Sequence, residues 1–254
     1  MILLHRLTSF VVAALVAASY ILLFVKDVPA LPFVFITTVV IALLMARLLK
    51  WEGKSFSFWV FLGVPMFYYL SSLFFYLYLE SAALEIILVV IVSLGIWFYL
   101  ENLFTFYHLP SAYQAYALEY LTLVLYVLST FFFASGAYAA QLFLQLPVWV
   151  PALAVFWVVL GATIAVFWVS KISTETSVRF ALWGAFLLTE LYVVFAQLPT
   201  SFFTNAALLS IMLYVYLGLS RAQALDKLKA EILKRYLGSA AVFTLIILVT
   251  ARWT

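Results

Sequence analysis

The sequence predicts an all-α polytopic bundle of about nine membrane-spanning helices. Three observations carry this. The 254-residue chain is 69% hydrophobic and 9% charged, whereas a soluble domain carries about 25% charged residues, so its solvent must be mostly lipid. Nine runs of roughly the 20 apolar residues that a spanning helix needs follow one another along the chain. Lys and Arg concentrate in alternate connections, as they do in threaded membrane proteins.

The first run, within "MILLHRLTSFVVAALVAASYILLFV", opens like a signal peptide, with His5 and Arg6 ahead of an apolar core. It continues through Phe24 and Val25 with no polar segment and no small-x-small cleavage site, so it reads as a retained first span over 7–25. The second run is 30–49, with Pro29 and Pro32 at its edge. The third, 56–79, holds Pro65 in its interior, in "FLGVPMFYY". Proline lacks the N–H and clashes with the preceding turn, so a kink is expected there. The fourth is 83–100. Pro110 precedes the fifth (112–140), Pro147 and Pro151 open the sixth (148–169), and Pro199 follows the seventh (179–198). The eighth is 202–219. The ninth, 237–253, is short and ends in Arg252 and Trp253, which are suited to snorkel to the interface.

With the N-terminus placed inside, the inner segments hold Arg6, Arg47, Lys50, Lys54, Lys171, Arg179, Arg221, Lys227, Lys229, Lys234 and Arg235. The outer ones hold Lys26 and Arg252. Eleven against two orients the chain with its N-terminus cytoplasmic and its C-terminus outside. The protein is expected in the cytoplasmic (plasma) membrane if the source is prokaryotic.

Three segments follow: a bundle over 1–219, a cytoplasmic amphipathic helix over 220–238, and a short last span within 239–254. The middle segment, "SRAQALDKLKAEILKRYLG", repeats Leu225, Leu228, Ile232 and Tyr236 at helical spacing. Gly218 and Gly238 bracket it as hinge and cap. Its five basic and two acidic residues suit a helix lying on anionic headgroups or packed on the bundle, or else docking a cytoplasmic partner. The patch is small and lacks base-stacking aromatics, so nucleic-acid binding is not expected. "VPAL" at 28–31 and 150–153, with "FSFW" at 56–59 and "FALW" at 180–183, suggests a parallel four-plus-four helix repeat with the ninth helix added.

Carboxylates in the apolar runs are the candidate sites. Glu190, in "FLLTELYVVF", lies eleven residues beyond Arg179, about 16 Å along a helix and near the bilayer midplane. A charge at that depth costs about 2.5–3.5 kcal/mol on insertion scales. Glu190 is therefore expected to face the bundle interior and to keep its proton at neutral pH, with Gln197 on the same helix face. Glu119 should sit shallower. It begins a stripe of Thr122, Tyr126 and Ser129, hydroxyls of the kind that join membrane helices, and the best-placed partners for Glu190. Glu190 and Glu119 are the ion or proton site candidates. Glu101 and His108, seven residues apart, form an interfacial cluster if one helix carries both.

The chain has no cysteine and two histidines, which excludes thiolate chemistry and a histidine metal cage. No HExxH, GxSxG or phosphate loop occurs, and no cofactor signature is present. Three functions fit. The first is a carrier or channel-like protein using a membrane carboxylate. The second is a non-catalytic subunit or scaffold. The third is a lipid-active enzyme built on Glu101, His108 and Glu119.

Overall fold

The computed structural model describes residues 2–25 and 30–251, and the side chains of 6–23 and 31–251. Lys26, Arg252, Trp253, Pro29 and the first half of the earlier "VPAL" lie outside those residues. The described residues form nine α-helices: α1 (Ile2–Val25), α2 (Ala30–Leu48), α3 (Phe56–Tyr76), α4 (Ala82–His108), α5 (Ala117–Phe143), α6 (Trp149–Val169), α7 (Thr174–Phe195), α8 (Phe202–Ala224) and α9 (Ala230–Thr250). Each is long and apolar enough to cross a membrane. A helix satisfies its own backbone polar groups, the condition for such segments in lipid. α3 runs through the buried Pro65 as one helix.

The chain divides into two compact units, Met1–Leu121 and Thr122–Thr254. In the first, α1 packs most extensively on α4, and also on α2. The seam of α4 is Leu88, Val92, Ile96, Tyr99 and Leu103, spaced three and four apart and buried. On α1 the buried stripe is Ser9, Val12, Val16 and Ser19. In the second unit α6 and α7 are the tightest pair. Ser177, Ala181, Gly184 and Ala185 form the packing face of α7, and small residues let helix backbones approach. Gly184 goes further, because the ring of Tyr216 from α8 sits where its Cβ would be, 2.2 Å from the nearest ring atom. The Tyr216 hydroxyl donates to the carbonyl of Phe180.

Three turns after helices are closed by a residue of positive φ that is not glycine: Lys50 (57°), Lys171 (59°) and Asp226 (53°). Each makes the paired bonds that satisfy the last carbonyls of a helix. After α8, Asp226 N–H donates to Gln223 (3.0 Å) and Lys227 N–H to Ala222 (2.9 Å).

The last of these turns overturns the expected helix over 220–238. Those residues are the end of α8, a turn, and the first two turns of α9, so the ninth helix begins seven residues earlier than the sequence suggested. Leu225, Leu228 and Ile232 do not form one stripe. Gly218 and Gly238 are neither hinge nor cap, since both lie within helices. Gly218 instead gives the ring of Tyr236 its place, 2.1 Å from where a Cβ would stand, and so brings α9 against α8. Elsewhere α9 buries only Ala240.

Candidate functional site

The first unit is tied together by tyrosines that cross between helices. Tyr20 of α1 shares a 2.6 Å hydrogen bond with Ser72 of α3. Tyr69 of α3 donates to Ser19 of α1 at 2.9 Å and lies 3.4 Å from the Thr37 hydroxyl of α2. The Tyr68 hydroxyl donates to the carbonyl of Ile91 in α4 at 3.3 Å. The rings of Tyr20 and Tyr76 meet edge to face, with centroids 5.4 Å apart. Such a pair adds about 0.5–1.5 kcal/mol beyond its burial.

This aromatic corner is one wall of a pocket of about 220 Å³ lined by Tyr20, Ile21, Tyr76, Glu85, Ile86 and Val90. Glu85 stands in the first turn of α4, where the helix dipole favours a carboxylate. Its Oε2 accepts a long hydrogen bond, 3.4 Å, from the Tyr76 hydroxyl. Ile21, Ile86 and Val90 are exposed, so the pocket opens sideways. Arg6, Arg47, Lys50 and Lys54 lie towards the other end of this unit's helices, where α1 begins and α2 ends. Among the described residues, no Lys or Arg lines the pocket.

At that basic end Arg6 Nε donates to Glu101 Oε1 at 2.9 Å, joining α1 to α4. Glu101 Oε2 is buried with no hydrogen-bond partner among the described residues. α4 continues to His108, so Glu101 and His108 do share one helix, as expected. Glu101 Oε1 is taken by Arg6, and the His108 ring stacks on Phe104 with centroids 5.1 Å apart.

In the second unit Glu190 does not face inward. It stands on the exposed side of α7 with Trp183, Leu187 and Val194, while Gln197, expected on the same face, lies in the turn after the helix. The packed side is set by the small residues through Leu188 and Tyr192, and at about 100° per residue Glu190 falls on the opposite side. Its place along the helix differs too. α7 begins at Thr174 and ends at Phe195, so Glu190 lies five residues from the end, about 8 Å, and off the helix centre. Arg179 itself lies in the second turn of α7, where its guanidinium donates to Glu175 at 3.0 Å.

Glu119 is half-buried in the first turn of α5. Thr122, Tyr126 and Ser129 are buried, as the stripe suggested, with Thr130 and Ser135. They do not meet Glu190. Ser129 donates to its own helix at Leu125 (2.7 Å), and the hydroxyls of Thr122, Thr130 and Ser135 have no partner among the described residues. What joins α5 to α7 is a stack of Tyr138 on Tyr192, centroids 4.2 Å apart. The Tyr138 hydroxyl donates to the Tyr192 carbonyl at 3.0 Å, and the Tyr192 hydroxyl to Gln141 at 3.3 Å.

Sequence reasoning missed Glu85, Tyr20 and Tyr76. Three helices contribute them, and Glu85 in "AALEIILVV" reads as an ordinary acidic first turn. No family model matches the chain, and no curated protein or solved structure matches it. The nine apolar helices of the described residues are compatible with a polytopic membrane protein.

Proposed function

We propose that this membrane protein is a binding protein of the carrier type, whose functional carboxylate is Glu85 in the pocket of the first unit. The supporting observation is the pocket: an apolar cleft of about 220 Å³ beside Glu85 and the Tyr20–Tyr76 corner, and small-molecule sites are mostly apolar concavities. The proton or cation role first assigned to Glu190 passes to Glu85, because Glu85 adjoins a cavity and Glu190 lies on an exposed helix face. The threading we propose puts Arg47, Lys50 and Lys54 in the cytoplasm and the pocket in the outer half of the membrane, following the positive-inside rule.

The chain has no cysteine, so single-cysteine variants report both claims. A cysteine at Ala82, which lines the pocket, or at Ser81 should react with an impermeant maleimide in intact cells. One at Lys50 should resist. Filling the cleft with Val89→Trp should slow labelling at Ala82 but not at Ser81. Labelling of Lys50 from outside would reverse the threading, and an unchanged rate at Ala82 would remove the cleft.

A second reading, a non-catalytic subunit, is favoured by α7. Trp183, Leu187 and Glu190 on one exposed face suit another membrane helix that offers a hydroxyl or amide. Native mass spectrometry of gently extracted protein tests it: Glu190→Leu should release a bound chain that Glu190→Gln keeps.

A further inference from the structure

We infer that the turn between α8 and α9, with the outer face of α9, binds an anionic phospholipid. Its headgroup rests on Lys227, Lys229 and Lys234, and an acyl chain runs along Gly238, Ala241 and Leu245. This surface belongs to the second unit and does not depend on how the pocket of the first is read.

Charge comes first. Residues 220–238 hold five basic and two acidic side chains. Arg221, in the last turn of α8, is half-buried, and Arg235 lies over the ring of Tyr236, 5.5 Å from its centroid. Lys227, Lys229 and Lys234 are exposed. Of the two acids, Glu231 stands in the first turn of α9, where the helix dipole favours it, and Asp226 closes the turn after α8. The connections at the opposite end of this unit's helices, 144–148 and 196–201, carry no charged residue. Arg252, past the end of α9, lies outside the described residues.

Shape comes second. α9 packs on α8, with Tyr236 against Gly218 and Ala240 buried. At about 100° per residue, Lys234, Gly238, Ala241 and Leu245 fall on the opposite face, and all four are exposed. Nothing stands within 4 Å of where a Gly238 Cβ would be, so a chain lying there starts beside the lysine and follows an apolar stripe. A cationic head above an apolar stripe fits an occupant that is anionic at one end and apolar along the rest. A soluble acidic protein would match the lysines and leave the stripe bare.

Depth comes third. From Tyr236 to Thr250, α9 offers about 22 Å of helix, against a hydrocarbon core of about 30 Å. A short span thins the bilayer or makes its flanking side chains reach outward, which brings Lys234 to the level of the lipid phosphates. Each basic residue near an anionic membrane surface strengthens binding by about fivefold.

The test uses the full chain, which has no cysteine of its own. Ala241→Cys carries a bimane fluorophore in bilayers of mixed phosphatidylglycerol and phosphatidylcholine. One lipid at a time bears a nitroxide on its acyl chain, and contact with it quenches the fluorophore. Phosphatidylglycerol should be enriched over phosphatidylcholine beside position 241 by about fivefold or more. The same label in Leu153→Cys, on an exposed site of α6 near the uncharged end, should show no preference. Lys227→Gln, Lys229→Gln and Lys234→Gln together leave two basic against two acidic residues in 220–238, and should bring the ratio at 241 to that at 153.

No preference at 241, or one that survives the triple substitution, would overturn the inference. An equal preference at 241 and 153 would mean general enrichment around the protein, with no site on α9. Quenching by neither lipid at 241 would show that protein covers this face, and would overturn the inference as well.

Discussion

In the first unit Tyr20 and Tyr69 reach across helices to Ser72 and Ser19, while in the second α6 and α7 are the tightest pair, with Ala162, Ala181 and Ala185 buried along them. Both units use tyrosines that bond across helices, but the second adds a tight pair of helices with small residues buried along it. The expected parallel repeat would pair the same helices in each unit. The tightest pairs are α1 with α4 in the first and α6 with α7 in the second, so the packing does not follow the repeat that the short sequence matches suggested. The contrast also locates the pocket. Bulky tyrosines in a polar network leave irregular space between helices, and a seam of alanines leaves little.

The largest test of this contrast is Tyr20→Ala. Tyr20 is 1% exposed and forms both the Ser72 bond and the pocket wall. Its loss should cost about 3–5 kcal/mol, as for other large aromatic truncations, read as unfolding in mixed micelles. A cost below about 1 kcal/mol would mean that the first unit does not depend on its tyrosines.

The second unit should fail in the opposite direction, by enlargement. Ala185 is fully buried on the α7 seam, and Ala185→Leu should cost about 1–3 kcal/mol through overpacking. The same enlargement on α9 at the exposed face that carries Val242 and Leu245 should cost nothing measurable. Gly184→Ala sharpens the point, because the Tyr216 ring must leave and release the carbonyl of Phe180.

These tests depend on faces, and faces are where the sequence was least legible. Eight of the nine helices could be placed from apolar run length, since lipid enforces length on each span separately. The ninth was misplaced because the turn after α8 contains neither Gly nor Pro. Asp226 takes the left-handed position itself, and "LDKLK" reads as helix. The buried stripe from Thr122 to Ser129 was visible because a polar stripe at helical spacing stands out against an apolar background. The direction of Glu190 was not. A lone carboxylate in a span was assigned to the interior on energetic grounds, but the small residues one turn away decided which side of α7 was packed. The pocket needed three helices at once, and pairing between helices is not written in any single run.

The tyrosine network invites a finer measurement. A double-mutant cycle of Ser19→Ala with Tyr69→Phe isolates one interhelical bond. Such bonds in membrane proteins average about 0.6 kcal/mol and reach about 1.7. A coupling in that range would make the network a sum of modest bonds, and a larger one would show that Thr37, also near the Tyr69 hydroxyl, strengthens it cooperatively.

The smallest expected effect belongs to the Arg6–Glu101 pair. It is a well-formed contact, 2.9 Å from Nε to Oε1, but 59% of the Arg6 side chain and 23% of the Glu101 side chain are exposed. An exposed ion pair contributes about 0–1 kcal/mol, because water and salt screen it and two long side chains must be held in one geometry. The cycle of Arg6→Gln with Glu101→Gln should therefore give a coupling below about 1 kcal/mol that shrinks in high salt. The single variants should be unequal. Arg6→Gln leaves a carboxylate whose Oε2 is already buried without a partner, and an uncompensated buried charge is costly. Glu101→Gln leaves an arginine that can turn to solvent, so it should cost less. A coupling well above 1 kcal/mol that ignores salt would place the pair in lipid rather than at the membrane surface. In that event the first unit would be fastened at its basic end by charge as firmly as at its pocket end by tyrosine.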